Sequence, residues 1–453
     1  MAQSDGSEIA AKLCEREAWF VWAPFIMKLE LKRYNNIVAF KMKGKADTAL
    51  AFHEDNLEVA QISDELFSEL EKKNYDELVA WSRRKEVLPA HPKNNKIKSV
   101  NINVTQICNL HCLYCAAGGD GSYGDPVKNI SIEKTLPQLK FFLDKLEKGE
   151  RFHISFLGGE PLLYPEGISL IAEYASQYAE AKALNLTMKI TTNGTLLNES
   201  IVSLLKKHKP TLVISMDGPP EINDKLRPQK NSHSTSMQMV SNLDRLFMIK
   251  SELGVLGVHA VFSEKNLEVV KAYKYFSEFP FDFYDFMFSV SENNPTSNHE
   301  YMEQMEQVAE LAWEKGSEKE LRKIYIFDHY FDLLDNQKRL ENHCGLGKTL
   351  AVIDARNRIY NCPWTIGQKQ DQIGQDLQIN QEKLIENYSN SLIDRNQCHQ
   401  CWAKYLCGGG CSYIHKSTYS DKEVVKNDLF CERTRYVSAL AIYYFSKSRD
   451  LMT

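Results

Sequence analysis

Three cysteines in a C-x3-C-x2-C spacing, Cys108-Asn-Leu-His-Cys112-Leu-Tyr-Cys115, constrain this chain more than any other stretch. A tight loop of that kind can wrap one corner of an iron–sulfur cubane and reach three of its irons. Such clusters are normally held by four cysteines. The loop therefore either borrows a distant ligand or leaves an iron for another molecule. A zinc site and scattered buried thiols are the alternatives. Zinc prefers two C-x2-C pairs or Cys/His sets, and the spacing here is wrong for that. His111 sits between two of the cysteines, where its geometry as a ligand is already constrained.

The remaining cysteines extend the argument. There are eleven: the three in the loop, seven from Cys344 to Cys431, and Cys14 alone. In a chain of 453 residues, clusters of this kind read as metal ligands rather than as disulfides of a small secreted fold. The N-terminal stretch Met1 to Lys32 has its apolar residues interrupted by charge, so it does not read as a signal peptide. No run approaches a membrane span. A net charge of −5 gives no reason to expect nucleic acid as a partner. A cytoplasmic protein is the expectation, and Cys14 is expected to be a plain thiol.

In chain order, residues 1–95 read as a first unit. Ile37–Met42 and Thr48–His53 are expected strands around the turn Gly44–Asp47. Ser63 is an expected N-cap with Asp64 and Glu65 in the first turn, and a second short helix holds Leu78, Val79 and Trp81. That order fits a small winged-helix-like module, or an extension that merely packs on the core. Residues 91–97 are polar and read as a linker. From Lys98 to about residue 295, strands and helices alternate six times. Such alternation implies a parallel sheet, with chemistry at the C-terminal ends of the strands. Residues 296–343 read as a helical bridge, whose Tyr325–Phe331 stretch carries no assignable chemistry.

Motifs fall at the expected strand ends. Gly158-Gly159-Glu160-Pro161 follows the second strand, Thr191-Thr192-Asn193-Gly194 the third, and Ser215-Met216-Asp217-Gly218 the fourth. Asp224-Lys-Leu-Arg227 comes shortly after. Asp224 with Arg227 also reads as a local helix ion pair, and Asp217 as a residue that only shapes its turn. The cysteine loop, with Tyr114 before its third cysteine, together with these motifs resembles the radical S-adenosylmethionine (radical SAM) superfamily. The resemblance implies an open (β/α)6 TIM-like partial barrel. It also implies a cluster on Cys108, Cys112 and Cys115 whose open iron binds S-adenosylmethionine, to yield a 5′-deoxyadenosyl radical that abstracts hydrogen from substrate. Tyr114, Gly158, Gly159, Glu160, Thr192, Asn193, Ser215 and Arg227 are then the expected cofactor-binding residues. Arginine suits the cofactor's carboxylate because its planar fork can be bidentate.

The C-terminal residues 344–453 carry the most specific signal. Cys398-x2-Cys401-x5-Cys407-x3-Cys411 is followed by Cys431 and preceded by Cys344 and Cys362. This resembles the seven-cysteine SPASM extension of peptide-modifying radical SAM enzymes. By that family's ligand order Cys344, Cys362 and Cys411 hold one auxiliary [4Fe–4S] cluster, and Cys398, Cys401, Cys407 and Cys431 a second. Three [4Fe–4S] clusters and S-adenosylmethionine are the implied cofactors. A single zinc on the C-terminal run is the alternative, and it leaves three cysteines unexplained. The resemblance extends to an N-terminal module that grips the leader of a precursor peptide, and to a reductant such as flavodoxin or ferredoxin.

Two departures bear on the activity. Asn357 stands where the family has glycine, and asparagine tolerates a left-handed turn better than most residues. Cys362 is followed by Pro363-Trp364, where formylglycine-forming maturases carry an aspartate base. The expected activity is a peptide maturase that forms a crosslink, most plausibly a cysteine thioether. A carbon–carbon or carbon–oxygen crosslink, formylglycine formation and small-molecule oxidation are the alternatives.

Overall fold

The computed structural model describes residues 29–42, 49–70, 76–83, 96–115, 127–229, 234–380, 383, 390–416 and 425–451. Cys14, the turn at 44–47 and residues 91–95 of the expected linker lie outside them. The first unit is an antiparallel sheet in the order β1 (Leu29–Tyr34), β2 (Ile37–Met42), β3 (Ala49–His53), β4 (Glu58–Ile62). Helices α1 (Asp64–Glu69) and α2 (Asp76–Ser82) follow. The Ser63 hydroxyl caps α1 by accepting from the Leu66 amide at 3.1 Å. The sequence reading found two of these four strands. It missed β1 and β4 because LELKRY and EVAQI carry polar residues on their outer positions, a weak period-two signal.

The second sheet has ten strands in the order β10-β9-β8-β7-β6-β5-β11-β12-β13-β14. Its first six strands are parallel and each is followed by helix: β5 (Ser99–Thr105), α3 (Ile132–Leu143), β6 (Arg151–Gly158), α4 (Pro165–Lys182), β7 (Asn185–Thr192), α5 (Glu199–His208), β8 (Thr211–Ser215). Two helices follow β8, α6 (Pro220–Leu226) and α7 (Thr235–Met248). Then come β9 (Leu256–Phe262), α8 (Val269–Phe276) and β10 (Phe283–Phe288). This is the expected six-unit α/β architecture, with α6 as an unforeseen addition. On β8 and β9, Ile214 and Val258 are fully buried, while their neighbours Ser215 and His259 keep partial exposure.

Two long helices, α9 (Pro295–Leu321) and α10 (Tyr325–Asp335), flank the β10 edge, where the Tyr284 amide donates to Lys323 O at 2.7 Å. α9 breaks its helical geometry at Gly316 and Ser317. At the other edge, β11 (Leu350–Ile353) pairs parallel with β5 and antiparallel with β12 (Arg358–Tyr360). Asn357 takes φ +59° in the β11–β12 turn, as expected for a glycine substitute, and its amide donates to Thr135 Oγ1 at 2.9 Å on α3. β13 (Gln372–Gln375) and β14 (Gln378–Ile379) end the sheet, and α11 (Leu392–Arg395), α12 (Lys404–Cys407) and α13 (Asp428–Ser448) complete the fold. Among the described residues no helix is long and apolar enough to cross a membrane.

Candidate active site and cluster-binding cysteines

The first cysteine loop leaves β5 and is braced by the Gly158-Gly159-Glu160 turn at the end of β6. The Gly159 amide donates to Thr105 O at 2.8 Å and the Glu160 amide to Ile107 O at 2.9 Å. A Cβ on Gly159 would lie 2.3 Å from Ile107 O, and one on Gly158, at φ +135°, 2.1 Å from Thr105 O. Both glycines are thus required by the approach of two backbone segments.

Glu160 is 1 % exposed and accepts three hydrogen bonds. They come from Thr192 Oγ1 at 2.7 Å, the Asn193 amide at 2.7 Å and the Leu162 amide at 3.0 Å. Burial raises its carboxyl to about 7, and these three bonds hold it down only in part. The proton is bound more tightly in the folded chain than in the unfolded one, so stability is retained below about pH 4.5 and lost as the pH rises through about 7. By linkage the loss is on the order of 3 kcal/mol. In cofactor-free protein, Glu160→Gln should flatten this slope in denaturant titrations at stepped pH. An unchanged slope would show that other groups produce it.

Asn193 reaches the cysteine loop directly, with its amide 2.9 Å from Asn109 Oδ1 and 3.9 Å from Cys108 Sγ. Opposite it, Asp217 is the hub of a buried network. Its carboxylate takes a bidentate pair from Arg227, Nε at 2.8 Å and Nη2 at 3.0 Å. It also accepts from the Val261 amide at 3.0 Å and from the Tyr114 hydroxyl. The Arg227 guanidinium lies 5.3 Å from the Tyr114 ring centroid. Burial works against its charge, but Asp217 holds the guanidinium above its usual range. Two sequence readings are corrected here. Asp217 does more than shape a turn, and Arg227 does not pair with Asp224, which instead accepts from Ser234 Oγ at 2.7 Å and the Ser236 amide at 2.8 Å. An isolated aspartate followed by glycine at a strand end gives no signal of a partner ten residues away.

One more pair was missed. His259 Nδ1 lies 2.9 Å from Asp285 Oδ2, and the β8–β9–β10 register sets Ser215, His259 and Asp285 side by side. Burial pushes Asp285 up, yet the His259 bond keeps it below the ordinary carboxylate range, aided by the charge of Lys189 on β7.

The ten described cysteines are all free thiols. They interact electrostatically in three separate sets: Cys108 with Cys112 and Cys115; Cys344 with Cys362 and Cys411; and Cys398, Cys401, Cys407 and Cys431 together. Burial raises Cys108, Cys344 and Cys431 to about 11, and Cys362 further still. Thiols of this kind are protonated at neutral pH until a metal displaces the proton. Among the described residues no three His, Cys, Asp or Glu side chains converge on a single metal ion. Iron takes thiolate readily. Between Cys407 and Cys411 the chain turns through Gly408, Gly409 and Gly410, all at positive φ, which returns Cys411 toward the other set.

Residues 102–275 match the family model of the Radical SAM superfamily. The chain carries a radical SAM domain. It is an enzyme, and the domain implies a [4Fe–4S] cluster and S-adenosylmethionine. This chain is 25 % identical over 353 residues to the cysteine-type anaerobic sulfatase-maturating enzyme of Clostridium novyi (strain NT), covering 72 % of this chain and 90 % of that one. Among solved structures, native anSMEcpe with bound AdoMet superposes with a TM-score of 0.62 at 20 % identity, over 78 % of this chain and 97 % of that one. Streptococcus suis SuiB bound to precursor peptide SuiA superposes with a TM-score of 0.53 at 14 % identity, over 88 % and 100 %. Both structural likenesses concern the fold. This chain is thus related in sequence to a maturase, and residues 102–275 match the radical SAM model.

Proposed function

We propose that this radical SAM enzyme matures a ribosomally made precursor peptide, forming a crosslink through a cysteine thioether. Cys108, Cys112 and Cys115 would hold the cluster that binds S-adenosylmethionine, whose reductive cleavage supplies the hydrogen-abstracting radical. The cofactor would rest among Tyr114, Gly158, Gly159, Glu160, Thr192, Asn193, Ser215 and Arg227. A flavodoxin or ferredoxin would supply the electron. Cys344, Cys362 and Cys411 would hold one auxiliary cluster, and Cys398, Cys401, Cys407 and Cys431 the other. The N-terminal module would take the peptide's leader, by adding a strand to a sheet edge.

The observation that carries this reading is the set of Cys344, Cys362 and Cys411. Three thiols gather there without a fourth among the described cysteines, and Cys344 is exposed. A four-iron cluster on three cysteines keeps a position for a thiolate of the substrate, held in geometry rather than met by collision. The test uses a short cysteine-containing precursor peptide, sought among the open reading frames beside the gene. Its addition should perturb the spectrum of one auxiliary cluster, its Cys→Ser form should do so less, and the product should retain its sulfur. An unperturbed spectrum with an unmodified peptide would refute the proposal.

Formylglycine formation is a second reading. The Clostridium novyi relative favours it, and so does Asp371, a buried carboxylate close enough to raise the Cys362 thiol. Formylglycine formation from cysteine removes the sulfur, so the mass of the product decides between the two.

A further inference from the structure

The N-terminal sheet is buried on both faces. On one face Ile37, Ala39, Ala49 and Ala51 form a small core with Phe67, Leu70 and Leu78 of the module's own helical segment. On the other, Val38, Phe40, Leu50 and Phe52 join the main core of the protein. What they meet there is the loop between Cys398 and Cys407. Trp402, next to Cys401 and 5 % exposed, stacks at 6.4 Å on Phe40 and edge-on at 6.0 Å on Phe52.

Polar contacts frame this aromatic seat. Arg33 Nη1 donates to Gln400 O at 2.7 Å, and its Nη2 to Glu54 Oε1 at 2.6 Å. Lys404, 8 % exposed, lies 3.4 Å from the same Glu54 oxygen and 3.7 Å from Asp55 Oδ1. Glu54 is 2 % exposed, so the module holds a buried carboxylate shared between its own Arg33 and Lys404 of the cysteine loop. The helix that carries Cys431, α13, also packs on β4. Both segments that supply the four-thiol set therefore rest on the module.

We propose that the N-terminal module is a structural part of the four-thiol site. Its sheet holds the Cys398–Cys407 loop in the shape that accepts a cluster. The loop has little regular structure of its own, only the four-residue α12, and the cost of ordering it is met by contacts with the module. The buried ion network of Arg33, Glu54 and Lys404 joins module and loop and favours one arrangement of the two. The inference rests on the reading that these four thiols hold an iron–sulfur cluster. It makes the module more than a gripping arm.

The test uses full-length protein, reconstituted anaerobically, with iron counted per chain and each cluster followed by Mössbauer and EPR spectroscopy. Trp402→Ala on the loop and the double change Phe40→Ala/Phe52→Ala on the module should each lose about a third of the iron, one cubane of three. The S-adenosylmethionine-binding cluster should keep its signal in both. Trp402→Phe, which restores a ring, should keep full iron. Glu54→Gln keeps the side-chain volume and should speed iron release from the same cluster to a chelator without unfolding the protein. Full iron and unchanged release in all these variants, with wild type loaded for three clusters, would overturn this inference alone. Wild-type protein that takes up about four irons would overturn the cluster reading and this inference together.

Discussion

Replacing Cys108, Cys112 and Cys115 together by alanine should leave about eight of about twelve irons, at four per cubane, and abolish cleavage of S-adenosylmethionine. These three interact with one another and sit in a loop of their own after β5, so their loss should leave the other two sets intact. The cleavage loss is complete rather than partial because the cofactor, not the protein, supplies the radical chemistry. Iron analysis and quantitation of 5′-deoxyadenosine check the two halves separately. Loss of all iron would mean that the three sets do not assemble independently. Wild-type protein with about one zinc per chain would sink the cluster assignment.

The second large effect is expected at Asp217. Asp217→Asn should destabilise the protein by about 3–5 kcal/mol, because it leaves the Arg227 guanidinium buried beside an uncharged partner. The bidentate pair, the Val261 amide and the Tyr114 hydroxyl all converge on this one carboxylate. Denaturant unfolding of cofactor-free protein measures the loss. The double variant Asp217→Asn/Arg227→Met should cost less than the sum of the two single changes, since no orphaned charge remains. Asp224→Asn should cost only about 1 kcal/mol, the scale of a helix-cap contact. Equal losses at Asp217 and Asp224 would show that the buried pair has no special weight.

Much of the candidate site was legible in the chain because its chemistry is local. The C-x3-C-x2-C loop, the Gly158-Gly159-Glu160 turn and the six β/α repeats each declare themselves within a few residues. Period and turn chemistry are properties of the backbone and need no partner. The C-terminal cysteine run, with its short regular spacings, could be read the same way. Reading failed where a side chain's role depends on residues far along the chain. The pairing of Arg227 with Asp217 rather than Asp224 was decided by which carboxylate the β8 turn buries beneath α6. His259 and Asp285 became neighbours through strand register.

The sequence by itself determined the strand–helix order and the local turns, including the left-handed Asn357, because each is fixed by residue type and short-range sterics. The tertiary structure alone decided that β11 joins the barrel sheet at β5, that Glu160 is buried enough to hold its proton to about pH 7, and that the N-terminal sheet seats Trp402. Those outcomes depend on burial and on pairing across hundreds of residues. A continuously apolar strand such as Ala49–His53 announces that both its faces are covered, but only the folded chain shows what covers them.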